Sequence, residues 1–137
     1  MPDKLDNALR FQQESLSLLN RRQNILASNI ANADTPGYLA RDIDFASTLN
    51  DAINKTSSIS GPLSLSLTSG KHIKAQANNF SDAELLYRIP DQPAADGNTV
   101  DMDRERSNLA DNTIRYQSSL TFVGMQIKNM MTVISQG

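Results

Sequence analysis

The chain contains no cysteine and no tryptophan, and aromatic residues make up only 5% of its 137 residues. The absence of cysteine excludes disulfide frameworks, thiolate zinc sites and cysteine nucleophiles. Leucine, isoleucine, valine and phenylalanine together number 32, which is close to the level below which a chain buries too little apolar surface to fold. A globular fold is therefore possible, but a large, aromatic-rich core is not.

Strong charge and long apolar runs are also missing. The formal net charge is −2, and no basic run is longer than Arg21-Arg22, which argues against a nucleic-acid-binding surface. No apolar run approaches the roughly 20 residues of a membrane span. Because charged residues occur throughout the first thirty positions, the sequence predicts no cleavable signal peptide. If the protein leaves the cytoplasm, we expect it to use another route.

Both ends of the chain carry a heptad pattern, in which residues recur at alternating spacings of four and three. The first pattern runs from Asp3 to about Ala31 and consists of Leu5, Leu9, Gln12, Leu16, Leu19, Gln23, Leu26 and Ile30. The second runs from about Met102 to Ile134 and consists of Leu109, Thr113, Tyr116, Leu120, Val123, Ile127, Met130 and Ile134. Asp101 precedes the second pattern as a candidate N-cap. We predict two long helices, with the apolar members of these sets forming the helix-packing interface.

The middle of the chain follows other patterns. Pro36-Gly37 predicts a type II turn after the first helix, and the spacing of Phe45, Leu49 and Ile53 predicts a short helix over 44–54. Leu63, Leu65 and Leu67 alternate as in a half-buried strand. A second short strand is predicted around 85–89, followed by a loop at 91–98.

The sequence therefore predicts a mainly α protein, with two long terminal helices paired in a coiled-coil-like arrangement and a small irregular, β-containing middle segment. Residues 1–33 and 100–137 would form one helical domain, and residues 34–99 would connect its halves. A helix of about 29 residues is roughly 43 Å long, whereas a compact domain of this size is roughly 36 Å across. We therefore expect an elongated molecule.

Catalytic and metal-binding patterns are weak. His72 is the only histidine. The pairs Asp42/Asp44 and Asp101/Asp103 offer fewer oxygen ligands than a calcium loop needs, and helix capping accounts for the second pair. Phosphate-binding loops and nucleophile elbows are absent from the sequence. We predict no enzymatic activity, no metal and no cofactor.

Each predicted helix carries apolar residues off its heptad pattern. These residues are Phe11, Leu18 and Ile25 in the first helix and Phe122, Met125 and Met131 in the second. Two helices that cover only each other would leave this second set in water, which favours packing against other chains over a bundle within one chain. The mixed charge of both helices argues against an amphipathic membrane anchor.

Two stretches of sequence carry a family resemblance. The stretch from Asn24 to Tyr38 resembles the N-terminal signature of bacterial flagellar axial proteins, the family of rod, hook and hook-associated subunits. The stretch from Asp96 to Glu105 resembles the segment that opens their C-terminal helix, although Arg106 stands where many members have an apolar residue. This difference predicts that the inner face of the second helix begins one turn later. The signature positions are Asn29, Ala31, Asn32, Thr35, Pro36, Gly37, Tyr38, Gly97, Asn98, Val100 and Asp101.

The short chain is most similar to the proximal-rod members, and the resemblance implies a structural role. Such subunits build the drive shaft that transmits torque across the periplasm, and their terminal helices form its inner tube. The implied partners are other copies, other rod subunits, the ring–rod junction adaptor, the membrane-embedded ring and the flagellar type III export apparatus. Export without a cleaved signal peptide would place the protein in the basal-body rod.

Two alternatives stay open at this point. Phe45 and Leu49 fit the Phe-x-x-x-hydrophobic segment that early export substrates present to the export gate. The core face of a short helix explains the same spacing equally well. A rival function from another class is a soluble helical adaptor or secretion chaperone that acts as a closed dimer.

Overall fold

The computed structural model describes the backbone of residues 2–57 and 84–137. Its elements are α1 (Pro2–Ala31), β1 (Arg41–Ile43), α2 (Phe45–Ser57), β2 (Leu85–Tyr87) and α3 (Met102–Gln136). The fold class predicted from the sequence is confirmed, because two long terminal helices flank a small two-stranded sheet. The predicted strand at 63–67 and His72 lie outside the described residues.

Helices α1 and α3 pack side by side and run antiparallel. The side chain of Asn112 donates to the carbonyl oxygen of Leu19, and the side chain of Asn29 donates to Glu105. Later residues of α1 thus meet earlier residues of α3. With 35 residues, α3 is about 52 Å long at ~1.5 Å per residue, which makes the molecule elongated.

Burial along this helix pair is uneven. The buried side chains of α1 are Leu18, Leu19, Leu26 and Asn29, and those of α3 are Glu105 and Asn112. Because the helices are antiparallel, all six lie towards the same end, which we call the closed end. At the other end, the open end (residues 4–16 of α1 and 116–136 of α3), the heptad residues are half-buried or exposed, with Leu5 at 46% and Ile134 at 78%.

The middle segment packs on one side of α1. Strands β1 and β2 pair antiparallel, with Ile43 opposite Leu85. Buried Leu18 and Ile43 form a small core, against which pack the partly buried side chains of Ile25, Phe45, Leu49 and Leu85. The carboxylate of Asp44 accepts a hydrogen bond from the Ser47 amide at 3.1 Å and so caps α2.

This packing corrects one expectation from the sequence. The second apolar set of α1 is only partly left in water, because the middle segment covers Leu18 and Ile25 within the same chain, whereas Phe11 is 41% exposed. The corresponding residues of α3 do remain exposed, with Phe122 at 48% and Met125 at 57%. Exposed apolar surface is therefore concentrated on α3 and at the open end.

Candidate functional site

The two signature stretches lie against each other at the closed end. Buried Asn98 donates its side-chain amide to the carbonyl oxygens of Asn32, Ala33 and Thr35, at 3.0, 2.9 and 2.8 Å. Carbonyl groups at and just beyond a helix C-terminus have no donor within the helix. The side chain of Asn98, just before α3, therefore supplies hydrogen-bond donors to the carbonyl groups that follow α1.

Backbone hydrogen bonds extend this contact. The Gly37 amide donates to the Asp96 carbonyl at 2.9 Å, and the Thr99 amide donates to the Tyr38 carbonyl at 3.0 Å. The hydroxyl of Thr99 accepts from the Ala40 amide at 2.8 Å. We call residues 32–40 and 96–99, joined in this way, the turn clasp.

Two glycines allow the turn clasp to form. Gly37 has φ +71° and Gly97 has φ +77°. This left-handed backbone conformation is unfavourable for residues that have a Cβ. A Cβ on Gly97 would lie 3.7 Å from the Cα of Gly37, which is an ordinary van der Waals distance, so the backbone conformation is what requires glycine there. The Tyr38 amide donates to the Thr35 carbonyl, which closes the predicted type II turn around Pro36-Gly37.

The fully buried side chain of Asn29 joins α1 to β1. Its amide nitrogen donates to the Arg41 carbonyl at 2.7 Å, and its oxygen accepts from the Arg41 amide at 3.1 Å. The Tyr38 hydroxyl donates to the same oxygen at 3.2 Å. Asn29 thus pairs with the outer edge of β1 as a neighbouring strand would.

Four charged side chains of alternating sign connect four segments of the chain. Arg22 of α1 binds Asp42 of β1 through two hydrogen bonds, at 3.1 and 3.3 Å. Arg88, directly after β2, donates to both Asp42 and Glu105 of α3. We call these four residues the charge network. Their charges balance, which is the condition under which buried ions are tolerated.

Asp42 stays ionised in this network. Burial raises the pKa of its carboxyl group, but the hydrogen bonds from Arg22 and Arg88 more than offset that effect and hold the pKa below its usual value. The carboxylate is therefore a structural acceptor at neutral pH. Among the described residues, no group of three or more metal-ligating side chains lies close enough together to hold a metal ion, at Asp42 or elsewhere.

Sequence patterns do not reveal the charge network. The difference at Arg106 predicts that the inner face of α3 begins a turn later than in related chains. That prediction is wrong, because Glu105 is 1% exposed and binds Asn29 and Arg88 in the first turn of α3. One feature of the sequence does point to the burial of Glu105. It lies four residues before Leu109, so it continues the heptad pattern of α3 with an acidic residue.

The predicted helix-packing residues differ in burial. Leu19 and Leu26 are buried, and the half-buried members are Leu9, Leu16, Ile30, Leu109, Tyr116, Val123 and Met130. The exposed members are Leu5, Leu120, Ile127 and Ile134. A polar layer interrupts the contact between α1 and α3 where Gln23 binds Thr113 at 2.9 Å and Asn112 at 2.7 Å.

The remaining predicted residues lie at the start of α3, on the surface and against the small core. Asp101 caps α3 by accepting from the amides of Asp103 and Arg104, and Val100 is half-buried. Ala31 and Pro36 are exposed. Phe45 and Leu49, the candidate export segment, pack against the core of Leu18 and Ile43 and are half-buried.

An apolar stripe runs along α3 on the side away from α1. It consists of Ile114, Phe122 and Met125, which are 64%, 48% and 57% exposed. We call it the outer stripe. Within the described residues, no helix is both long and apolar enough to cross a bilayer.

Comparison with known proteins gives consistent matches. Residues 9–38 match the family described as flagella basal body rod protein, a range that contains the signature from Asn24 to Tyr38. The chain is 59% identical to the flagellar basal body rod protein FlgB of Yersinia enterocolitica over 137 residues, covering 100% of both chains. It is 58% identical to FlgB of Salmonella typhimurium and to FlgB of Escherichia coli, covering 100% of this chain and 99% of each relative.

Proposed function

This chain belongs to the FlgB family of flagellar basal body rod proteins, and from this premise we propose that it builds the proximal part of the rod. It is a structural subunit of the basal body rod, and the resemblance noted in the sequence is confirmed. The comparisons give no support to the alternative of a soluble adaptor or secretion chaperone. The geometry of the chain supports finer assignments.

The observation that carries the proposal is that α3 has apolar side chains on two sides. One side faces α1, and the outer stripe of Ile114, Phe122 and Met125 faces solvent. Exposed apolar patches on a soluble chain mark surfaces that pack against other molecules. Contacts between two different surfaces of successive subunits build open helical arrays, which is the geometry that a rod requires.

The difference in burial between the closed end and the open end also suits assembly into a rod. The closed end is held by the turn clasp and the charge network, so it can transmit torque as a rigid body. The open end leaves Leu5 and Ile127 each 46% exposed, and neighbouring helices would complete its core. We assign residues 1–33 and 100–137 to the helical inner-tube domain and residues 34–99 to the connecting segment.

The proposed partners are other flagellar basal-body components. They are further copies of this chain, other rod subunits, the ring–rod junction adaptor and the membrane-embedded ring. The proposed location is the rod in the periplasmic space, which the chain reaches through the flagellar type III export apparatus without a cleaved signal peptide. Its role is mechanical, with no catalysis and no cofactor.

The export proposal concerns a segment that is covered in the folded chain. Phe45 and Leu49 pack against Leu18 and Ile43, so an export gate would meet them only in an unfolded chain. One segment would thus serve export first and the core afterwards. This order agrees with transport of unfolded subunits.

Substitution at the outer stripe tests the assembly role. Met125→Asp places a carboxylate on the stripe, and we expect the chain to be made and exported but not incorporated into basal bodies. Met125→Leu keeps the apolar surface and is the matched control, for which incorporation and swimming should be normal. Normal swimming of the Met125→Asp strain would contradict the proposal.

A further inference from the structure

Within the described residues, one edge of the two-stranded sheet has no partner strand. Asp42 lies opposite Leu86, and the Arg88 amide donates to the Ala40 carbonyl. In an antiparallel pair, successive residues direct their backbone groups alternately towards and away from the partner strand. The N–H and C=O groups of Leu85 and Tyr87 therefore point away from β1. Within residues 2–57 and 84–137, these groups have no hydrogen-bond partner.

The opposite edge of the sheet is occupied at Arg41 and at the amide of Ile43. There, the Asn29 side chain occupies both the N–H and the C=O of Arg41. The Ile43 amide donates to the Asp42 carboxylate at 2.8 Å. In the part of the chain that the structure describes, β2 alone offers an edge on which a further strand can pair.

The side chains around the open edge are apolar and exposed. Leu86 is 47% exposed, Tyr87 62% and Ile89 88%. Short length, lysine and proline usually limit the pairing of edge strands with other chains. Strand β2 (sequence Leu-Leu-Tyr) is short, but it contains no lysine and no proline.

Charges beside the edge restrict what can bind. The Arg41 guanidinium lies over the Tyr87 ring, 5.6 Å from its centre. It forms no ion pair with any carboxylate of the described residues. A strand added next to β2 would run past this cation, and an acidic side chain on it would complete the pair.

We propose that the open edge of β2 binds an extended segment of a different protein in the basal body, which adds a third strand to the sheet. The segment would carry apolar residues at alternating positions, towards Tyr87 and Ile89, and a carboxylate near Arg41. Strand addition of this kind draws affinity from main-chain hydrogen bonds and specificity from alternate side chains. The proposal rests on the rod function argued above.

A second copy of the chain is a poorer occupant. Among its described elements, only its own β2 has a free edge, so two copies would pair β2 with β2. Such a contact uses the same surface on both subunits and closes as a two-fold dimer. A rod that grows in one direction needs contacts that stay open, and a strand from another protein meets that need.

Hydrogen–deuterium exchange in isolated basal bodies tests the occupancy of the edge. With single-amide resolution, the amides of Leu86 and Arg88 report the β1–β2 ladder, and those of Leu85 and Tyr87 report the outer edge. We expect all four to be protected, with exchange at Leu85 and Tyr87 slowed at least ~10-fold relative to a fully exposed amide. Free exchange at Leu85 and Tyr87 beside protected Leu86 and Arg88 would overturn the proposal.

Photo-crosslinking identifies the occupant. A benzophenone amino acid in place of Ile89 should crosslink to one stretch of another basal-body protein, and mass spectrometry of the joined peptides should show alternating apolar residues. Tyr87→Pro removes the outward N–H without touching the ladder and should abolish this crosslink, whereas Tyr87→Val should retain it. A crosslink to residues 58–83 of the same chain, or to β2 of a second copy, would overturn the proposal.

The outcomes separate this inference from the rod function. A chain that is absent from isolated basal bodies would refute the rod function itself. A chain that is present, with freely exchanging outer amides, refutes only the docking of a third strand.

Discussion

The carboxylate of Glu105 on α3 accepts a hydrogen bond from the side chain of Asn29 on α1 at 3.2 Å, and both side chains are almost completely buried. Glu105 also binds Arg88, and Asn29 also binds both backbone groups of Arg41. This pair is therefore the point where the helix pair, the sheet and the charge network meet. Polar networks of this kind specify one arrangement only when every member is satisfied.

Removal of Glu105 should strongly destabilise the closed end. In Glu105→Ala, Arg88 loses one carboxylate and Asn29 loses an acceptor, and breaking a buried pair costs about 3–5 kcal/mol. We expect a clear fall in the thermal midpoint followed by circular dichroism. Asp111→Ala is the matched control on the same helix, because it breaks an exposed pair with Arg115 worth less than about 1 kcal/mol. Equal midpoints for the two variants would show that the network does not stabilise the fold.

The charge network also predicts a dependence on pH. The folded-state pKa of Asp42 is lowered from 3.8, so the unfolded chain binds the proton more readily than the folded chain. The stabilisation is complete above the unfolded pKa and is lost as the pH falls through the folded pKa. The difference in unfolding free energy between the wild type and Asp42→Asn should be constant from about pH 7 to about pH 5 and shrink below that range. A difference that widens in acid would contradict this assignment.

Alanine substitutions at two glycines should act with opposite sign. Gly97 has φ +77°, so Gly97→Ala places a Cβ in the left-handed region at a cost of about 1–2 kcal/mol. Gly124 lies inside α3, where an added Cβ would meet no side chain and no distant backbone within 4 Å. Gly124→Ala should therefore stabilise the chain by about 0.5–1 kcal/mol. Chemical denaturation of the two variants measures both effects. A shift in the same direction for both would mean that helix and turn geometry do not govern these positions.

The sequence predicted the helices well because heptad spacing and capping are local signals. The α1 and α3 bounds followed from Leu5 to Ile30 and from the N-cap Asp101, and the Pro36-Gly37 turn followed from local backbone preferences. Strand β1 was missed, since Arg41–Ile43 contains two charged residues in three and shows no apolar alternation. Its conformation is imposed by Asn29 and Leu86, which are distant along the chain.

The charge network was missed for a related reason. Whether Asp42 and Glu105 face water or Arg88 depends on how the middle segment folds back over α1. No periodicity within one element encodes that contact. The signature residues were recognised from the sequence, but their chemistry, in which Asn98 caps the end of α1 and Asn29 pairs with β1, required the tertiary structure.

The export segment yields the last prediction, because the structure supplies a control for it. Phe45 and Leu85 pack against the same small core of Leu18 and Ile43 and are both partly buried, so Phe45→Ala and Leu85→Ala should destabilise the folded chain by similar amounts. These amounts should lie below the ~2–5 kcal/mol typical of fully buried side chains. Only Phe45 belongs to the segment offered to the export gate. If the gate reads that segment in an unfolded chain, Phe45→Ala should lower the amount of protein secreted and Leu85→Ala should not. Immunoblots of secreted and cell-associated protein measure this directly. An equal loss of secretion in the two variants would mean that the destabilised chain is degraded, and would contradict a gate role for Phe45. Unchanged secretion in both variants would mean that Phe45 contributes only to the core.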